Sequence, residues 1–267
     1  ETITEFFGKG FAQSLRGQRG AAKLLVGNNV LAHVPDINDF VAGIRVMLAP
    51  DGVATLEFPH LMELVRHRQF DTVYHEHFSY LSLHTTMRVF ASQGLRIWDV
   101  QRLPTHGGSL RIWVCHEEDA RETCPSVGSL ARLEKDEGML ELAWYDGFQD
   151  QAEGIKHAFL SFLLEQRRSG KSVVGYGAAA KGNTLMNFAG VRSDLIQFVA
   201  DASPHKQGLY LPGSRIPVVA PAELIAARPD FVVVLPWNLF DEVSEQLSCI
   251  REWGGKFVRA VPELVVS

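Results

Sequence analysis

The sequence predicts an α/β fold built from two sheets that are joined by long helices. Short, continuously apolar segments such as 22–27 and 231–235 alternate with amphipathic segments, and Gly, Pro and Asn separate them. Apolar strands without polar alternation are typical of parallel sheets that helices cover on both faces. Between 126 and 168 the pattern changes to charged residues with apolar ones at helical spacing. We therefore predict an α/β domain over 1–125, a helical connector over 126–170 and a smaller α/β domain over 171–267.

Composition narrows the class of protein. The chain has 267 residues, a formal net charge of −5 and no run of Lys or Arg, so a nucleic-acid partner is not expected. No apolar run reaches the ~18 residues that a membrane span needs. The three cysteines, Cys115, Cys124 and Cys249, form neither a disulfide framework nor a zinc motif. We expect a cytoplasmic protein without a metal site, and the sequence leaves its oligomeric state open.

The elements of the first domain follow from apolar runs and their boundary residues. A helix is predicted from Glu5 to Leu15. Asp36 or Asn38 caps a helix that runs to Leu48, a turn at 50–52 follows, and Gly94 ends a later helix. The predicted strands are 22–27, 53–58, 95–103 and 109–116, with a helix over 85–93. The last two strands are joined by a short Gly-rich turn, which predicts an antiparallel hairpin.

The second domain begins at Lys171. We predict strands over 172–177, 196–200, 231–235 and 256–261, with a helix over 181–188 after the first of them. This alternation predicts a small doubly wound sheet.

The most informative segment is 70–80, where His75, Glu76 and His77 stand between Tyr74 and Tyr80. Imidazole and carboxylate groups accept protons, and an apolar aromatic wall moves their pKa values toward neutrality. The segment therefore favours a general base. A metal site is less favoured because no third ligand stands at metal-like spacing, and ordinary polar loop residues are the remaining alternative.

Two further segments place polar residues at predicted strand ends. Asn28, Asn29 and His33 follow the first strand, where open α/β sheets bind ligands; an Asx turn at a helix start is the alternative. His106 and Arg111 flank Gly107 and Gly108 in the hairpin, which is either a simple turn or a backbone that approaches a ligand closely.

The segment 175–183 has the form of a phosphate-binding turn. Gly175, Tyr176 and Gly177 end a strand, and Lys181 lies near the start of the following helix. Free N–H groups and the helix dipole attract an anion there, and a bound phosphate would offset the unfavourable position of the lysine. Asp201 stands where dinucleotide-binding units carry an acid, so NAD binding remains open on spacing alone.

Taken in order, the motifs of this chain resemble those of S-adenosylmethionine-dependent C-methyltransferases that act on nucleotide-linked 4-keto-deoxysugars. The matching segments are 28–35 (NNVLAHVP), 57–61 (EFPHL), 74–78 (YHEHF), 106–111 (HGGSLR), 175–181 (GYGAAAK) and 237–238 (WN). The resemblance implies the C-terminal half of a class I methyltransferase Rossmann-like sheet, followed by a smaller Rossmann-like domain. The family's N-terminal zinc module and the first half of its methyltransferase domain have no counterpart in the sequence, so we expect zinc only in such a module.

The resemblance also implies roles for individual residues. His77 would remove the proton at sugar C3, with Glu76 and Tyr74 beside it and His33 on the opposite wall. Asn28, Asn29 and His33 would contact the cofactor, S-adenosylmethionine. His106, Arg111, Gly175, Tyr176, Gly177, Lys181 and Asn238 would bind the nucleotide-linked substrate.

Two alternatives remain open from the sequence. The first alternative is an NAD-dependent enzyme whose cofactor site is the unit 175–201. The second is a truncated fragment that binds a sugar nucleotide and has no activity.

Overall fold

The computed structural model describes all residues, Glu1–Ser267. Its internal contacts divide the chain into two compact units. The first unit comprises Glu1–Arg66 and His75–Asp146, and the second comprises His67–Tyr74 and Gly147–Ser267. No helix is both long and apolar enough to cross a membrane.

The first unit is a four-stranded mixed sheet with helices. Its elements are α1 (Lys9–Arg19), β1 (Ala22–Asn28), α2 (Ile37–Met47), β2 (Leu48–Pro59), α3 (Leu61–Arg66), α4 (Leu83–Ala91), β3 (Leu95–Leu103), β4 (Ser109–His116) and α5 (Pro125–Asp136). The strand order is β1-β2-β4-β3. Strands β1 and β2 are parallel, whereas β4 is antiparallel to both β2 and β3. The predicted hairpin of β3 and β4 is confirmed at its predicted bounds.

The prediction was wrong at the start of β2 and at both ends of α1, which runs to Arg19 instead of Leu15. Helix α1 begins at Lys9 instead of Glu5, because Gly8 is extended and the Lys9 N–H donates to Asp39 Oδ1 at 3.2 Å. The turn predicted at 50–52 lies inside β2, which begins at Leu48. Leu48 pairs with Ala22 and the register resumes at Leu24 with Val53. The extra residues 49–52 are therefore accommodated as an irregularity of the β2 strand.

Helices pack on this sheet around one apolar core. Phe58 of β2, Phe90 of α4, Leu95 of β3 and Ile112 of β4 are all fully buried in it. Helix α5, which the sequence placed in the connector, adds Val127 and Leu130 to the same core. The predicted boundaries at 125/126 and 170/171 stay a prediction.

The second unit is a six-stranded sheet with the Rossmann order. Its elements are α6 (Phe148–Arg168), β5 (Val173–Tyr176), α7 (Ala180–Phe188), β6 (Val199–Ala200), β7 (Val218–Val219), α8 (Pro221–Ala227), β8 (Phe231–Val234), α9 (Phe240–Gln246), β9 (Lys256–Arg259) and β10 (Val265–Val266). The spatial order is β10-β9-β8-β5-β6-β7, and every pair is parallel except β9 with β10. Counted from β5, this is the order 3-2-1-4-5-6, so the topological switch point lies between β5 and β8.

Two glycines allow close packing at this switch point. Gly177 has a φ of +86°, and a Cβ on it would lie 2.5 Å from Pro236 Cδ. A Cβ on Gly182 in α7 would lie 2.6 Å from Leu235 Cβ. The turn after β5 and the helix that follows it therefore approach the end of β8 more closely than any side chain permits.

Candidate functional sites

Polar side chains gather beyond the carboxyl ends of β1 and β2 in the first unit. Asn29 adopts a left-handed backbone conformation, with a φ of +54°, and its N–H donates to the Glu57 carbonyl at 2.8 Å. Its side-chain amide donates to His106 Nε2 at 3.3 Å. The structure thus brings together two predicted site residues that are far apart in sequence. Asn28, the last residue of β1, is exposed.

Glu57 gives this edge of the sheet a fixed negative charge. Its two carboxylate oxygens accept hydrogen bonds from Thr105 Oγ1 at 2.7 Å and from Arg111 at 2.9 Å. Burial of Glu57 disfavours the charged form, but these hydrogen bonds outweigh it and keep the pKa of Glu57 below its usual value. One guanidinium nitrogen of Arg111 is therefore paired with Glu57, a residue that was not among the predicted site residues.

His33 and His77 lie against each other in the first unit. Their ring centroids are 4.7 Å apart in an edge-to-face arrangement, and the ring of Tyr80 lies 6.1 Å from that of His77. The carbonyl of Ala32 accepts hydrogen bonds from the N–H groups of Phe78 at 2.9 Å and Ser79 at 3.3 Å. The backbone after β1 therefore holds the segment that carries His77.

The other members of the aromatic and acidic motif are placed differently. Both His75 and Glu76 are exposed in a turn, whereas His77 is half-buried. Tyr74 is half-buried at the end of His67–Tyr74, which belongs to the second unit. The structure thus groups His77 with His33 and Tyr80, and it leaves Glu76 at the surface.

A second group of polar side chains lies beyond the carboxyl ends of β5 and β8. Lys181 Nζ donates to Asn238 Oδ1 at 2.9 Å and lies 4.4 Å from the centroid of the Trp237 ring. Burial lowers the pKa of Lys181, and the charge of Asp71 opposes this effect. The structure therefore joins the predicted residues Lys181 and Asn238 at the switch point of a Rossmann sheet, where such sheets bind ligands.

Asp71 belongs to this second group, although the sequence analysis did not single it out. Its side chain is fully buried, Oδ2 accepts a hydrogen bond from Trp237 Nε1 at 2.7 Å, and Oδ1 has no partner. Burial raises the pKa of Asp71 to about 6, against the lowering effects of Trp237 and Lys181. The sequence does contain a signal for this residue, because Asp71 is the one charged side chain in the segment 69–74.

Three residues of the glycine-containing turn have packing roles. Gly175 leaves room for Val199, because a Cβ there would lie 2.8 Å from Val199 Cγ2. Tyr176 is 6% exposed and belongs to an apolar core cluster of the second unit. Gly177 accommodates Pro236, as described above. Their assignment to substrate binding stays a prediction.

The surroundings of Asp201 weigh against the NAD-dependent alternative. One carboxylate oxygen accepts the Ala178 N–H at 2.7 Å and contacts Lys206 Nζ at 3.3 Å, while the other accepts the Ser203 N–H at 2.8 Å. A dinucleotide site uses this acid for the ribose and the amides of the turn for the pyrophosphate. In this chain the acid and one such amide are bound to each other.

The residues beyond β1 fit a part of S-adenosylmethionine. Asn29 offers an amide and His33 an imidazole for the polar groups of the cofactor. An apolar groove of about 240 Å³ lies beside β1 and is lined by Val26, Gly27 and Val30, among others. These groups fit the apolar and hydrogen-bonding character of an adenosyl thioether.

The two sheets, with polar side chains beyond the carboxyl ends of their parallel strands, define an α/β protein with a Rossmann unit and confirm the predicted α/β class. The chain belongs to the C-methyltransferase family, because the family's C-terminal domain matches residues 104–262, more than half of its length.

The chain is 36% identical over 263 residues to the C-methyltransferase NovU of Streptomyces niveus. The match covers 98% of this chain and 63% of the relative, so the chain spans less than two thirds of that protein's length.

Solved methyltransferase structures show partial likeness. A SAM-dependent methyltransferase from Anabaena variabilis ATCC 29413 has a TM-score of 0.34 at 11% identity, over 43% of this chain and 57% of that one. A mutant of the 16S rRNA (adenine(1408)-N(1))-methyltransferase from Catenulisporales acidiphilia has a TM-score of 0.27 at 13% identity, over 38% and 52%.

Proposed function

We propose that the protein takes part in methyl transfer from S-adenosylmethionine to C3 of a nucleotide-linked 4-keto-deoxysugar. The observation that carries this proposal is the contact between His33 and His77 beyond the parallel strands of the first unit. The C-methyltransferase family and the resemblance of the ordered motifs supply the reaction class. S-Adenosylmethionine supplies an electrophilic methyl group when it is bound, and Asn28, Asn29 and His33 are the residues that would contact it.

His77 is the proposed general base. A proton on the carbon next to a ketone is acidic enough for a neutral imidazole when donors stabilise the enolate oxygen. The imidazole would take the C3 proton, and the C–H electron pair would become the enolate. As C3 forms its bond to the methyl group that the bound cofactor would supply, the methyl–sulfur bond would break and its electron pair would leave with the thioether. The half-buried position of His77 beside the rings of His33 and Tyr80 limits the water that competes for the base.

Glu76 and Tyr74 are proposed to orient the sugar or to polarise its 4-keto oxygen. Glu76 is exposed, so in this role it would act on the substrate directly rather than through His77. His106 and Arg111 are proposed substrate contacts. The bond between Arg111 and Glu57 supports a positioning part for this arginine.

Exchange of the C3 proton with solvent tests the base apart from methyl transfer. The protein is incubated in D₂O with a thymidine diphosphate 4-keto-deoxysugar, and the C3 proton signal is followed by NMR. The proposal is supported if the C3 proton signal disappears only when the wild-type protein is present and persists with His77→Asn. Exchange that continues unchanged in His77→Asn overturns the role of His77.

The second unit is proposed to bind the diphosphate of the substrate through Lys181 and Asn238. We expect Lys181→Met to weaken binding of a thymidine diphosphate sugar roughly 10- to 100-fold, because a hydrogen bond to a charged group is worth about 1.5–3 kcal/mol. Calorimetric titration measures the change.

Lys171→Met is the matched control for that substitution. Lys171 pairs with Asp230 at the opposite end of β5 and is half-exposed, so its loss should leave the affinity unchanged. Equal affinities for the wild type and Lys181→Met would refute the assignment. Titration with S-adenosylhomocysteine separates an enzyme from a pure binding protein: binding of the sugar nucleotide alone would favour the latter.

A further inference from the structure

We propose that Asp71 is a positioning residue of the Lys181 site and that its carboxylate competes with a bound diphosphate for the charge of that lysine. The proposal rests on the diphosphate-binding role of Lys181 given above and adds a regulation of that site by protons. Nothing in the family resemblance assigns a role to Asp71.

The geometry places Asp71, Trp237 and Lys181 in one chain of contacts. Asp71 lies in a 3-10 turn, Phe70–Thr72, that packs against α7. The indole N–H of Trp237 donates to Asp71 Oδ2 at 2.7 Å, and the ammonium of Lys181 lies over the same indole ring. The indole thus contacts the carboxylate through its N–H and the ammonium through its face, which fixes both groups relative to the ring.

Asp71 acts as a counter-charge because it is buried and only partly hydrogen-bonded. It has no exposed surface, and one of its oxygens has no partner. A charge in such a place is weakly screened, so it interacts with Lys181 more strongly than a surface carboxylate would. With both groups charged, the pair is neutral overall, and an incoming diphosphate gains attraction from Lys181 but meets repulsion from Asp71.

Protonation of Asp71 removes that repulsion. Lys181 is the ionisable group whose charge acts on Asp71. The other residues of α7 and residues 237–239 carry no ionisable side chain. Burial raises the pKa of Asp71 to about 6, so the carboxyl is ionised at pH 7.5 and mostly neutral at pH 5.5. A bound anion raises this pKa further, because a like charge disfavours ionisation. Binding therefore takes up protons near neutral pH.

The test is the pH dependence of affinity for thymidine diphosphate glucose, in which both phosphates are esterified and do not titrate between pH 5 and 8. We expect the affinity of the wild type to fall about tenfold from pH 5.5 to 8.0, the factor that corresponds to a change of one pKa unit on binding. Asp71→Asn retains an acceptor for Trp237 but has no charge to lose. We expect it to bind with the low-pH affinity of the wild type throughout.

Calorimetry in two buffers of different ionisation enthalpy measures the proton uptake directly. We expect the wild type to take up a fraction of a proton at pH 6.5 and Asp71→Asn to take up none. Asp194→Asn, an exposed acid of the same unit, is the matched control and should retain the dependence of the wild type. Trp237→Phe keeps a ring but removes the donor to Asp71, so it should move the midpoint of the pH dependence upward.

The outcomes separate this proposal from the one on which it rests. A wild-type affinity that does not change with pH, or an Asp71→Asn variant with the wild-type pH dependence, overturns the role of Asp71 and leaves the diphosphate site intact. Absence of binding at every pH overturns the diphosphate site and this proposal with it.

Discussion

In an intact, active enzyme, His77→Asn is expected to lower turnover by roughly 10²- to 10⁴-fold, the contribution typical of a general base. The substitution keeps a polar group of similar size next to His33 but removes the imidazole that is proposed to accept the C3 proton. Substrate affinity should change little, because the proposed base acts in the transition state of proton transfer and not in binding of the ground state. Steady-state kinetics that report kcat and KM separately provide the measurement.

His75→Asn is the matched control for this substitution. It makes the same chemical change two residues away, at an exposed position to which we assign no role. We expect turnover close to that of the wild type. If His77→Asn retained near-normal turnover, or if His75→Asn lost as much, His77 would not be the base.

The largest expected effect on stability comes from Glu134→Ala in the first unit. Glu134 has no exposed surface; Oε1 accepts hydrogen bonds from His60 Nε2 at 2.8 Å and the Leu83 N–H at 2.6 Å, and Oε2 accepts the His84 N–H at 2.9 Å. The carboxylate thus fixes the first N–H groups of α4 and the histidine that follows β2. Removing it leaves two buried donors and one partly buried donor without this acceptor, and we expect a loss of roughly 3–5 kcal/mol in the free energy of unfolding.

The pH dependence of this effect has a definite sign. Burial of Glu134 opposes ionisation, but its hydrogen bonds with His60, His84 and Leu83 outweigh burial and lower its pKa. A carboxyl group whose pKa is lower in the folded state stabilises the protein fully when the pH is above the pKa of the unfolded state, about 4.3. This stabilisation is lost as the pH falls through the pKa of the folded state. The difference between wild type and Glu134→Ala should therefore shrink in acid.

Urea denaturation followed by circular dichroism measures the change, with Glu137→Ala as the control. Glu137 lies one turn further along and pairs with Arg66, but about a third of each side chain is exposed. Such a pair is worth less than about 1 kcal/mol. Similar midpoints for the two variants would show that the buried network adds nothing beyond a surface ion pair.

The longer strands of both sheets were predictable because their signals are local, whereas the two-residue strands β7 and β10 were not predicted and the strand expected over 196–200 is only Val199–Ala200. Strands β3 and β4 have their predicted bounds, since Gly94 and the Gly107–Gly108 turn end the apolar runs beside them. The same local reasoning misplaced the start of β2. Pro50 and Gly52 are typical turn residues, yet they lie within β2, between Leu48 and Val53, which both pair with β1.

The site residues divide in the same way. His33 and Lys181 were placed at predicted strand ends, whereas the family resemblance implied the roles of His77 and Asn238. The structure brings His33 against His77 and Lys181 against Asn238, and the roles of all four stay a prediction. Asp71 and Glu134 were missed because their partners are distant in sequence: Trp237 lies 166 residues from Asp71, and His60 lies 74 residues from Glu134.

The sequence by itself determined the α/β class, the longer strands and the residue types able to carry proton and phosphate chemistry, because apolar periodicity and residue type are local properties. Only the tertiary structure decided which of those residues meet. It placed His77 against His33 and left Glu76 exposed. It also joined Asp201 to the Ala178 N–H in the turn after β5, and it buried Asp71 beside Trp237. Burial and long-range hydrogen bonds set these pairings, and both arise only when segments distant in the chain are packed together.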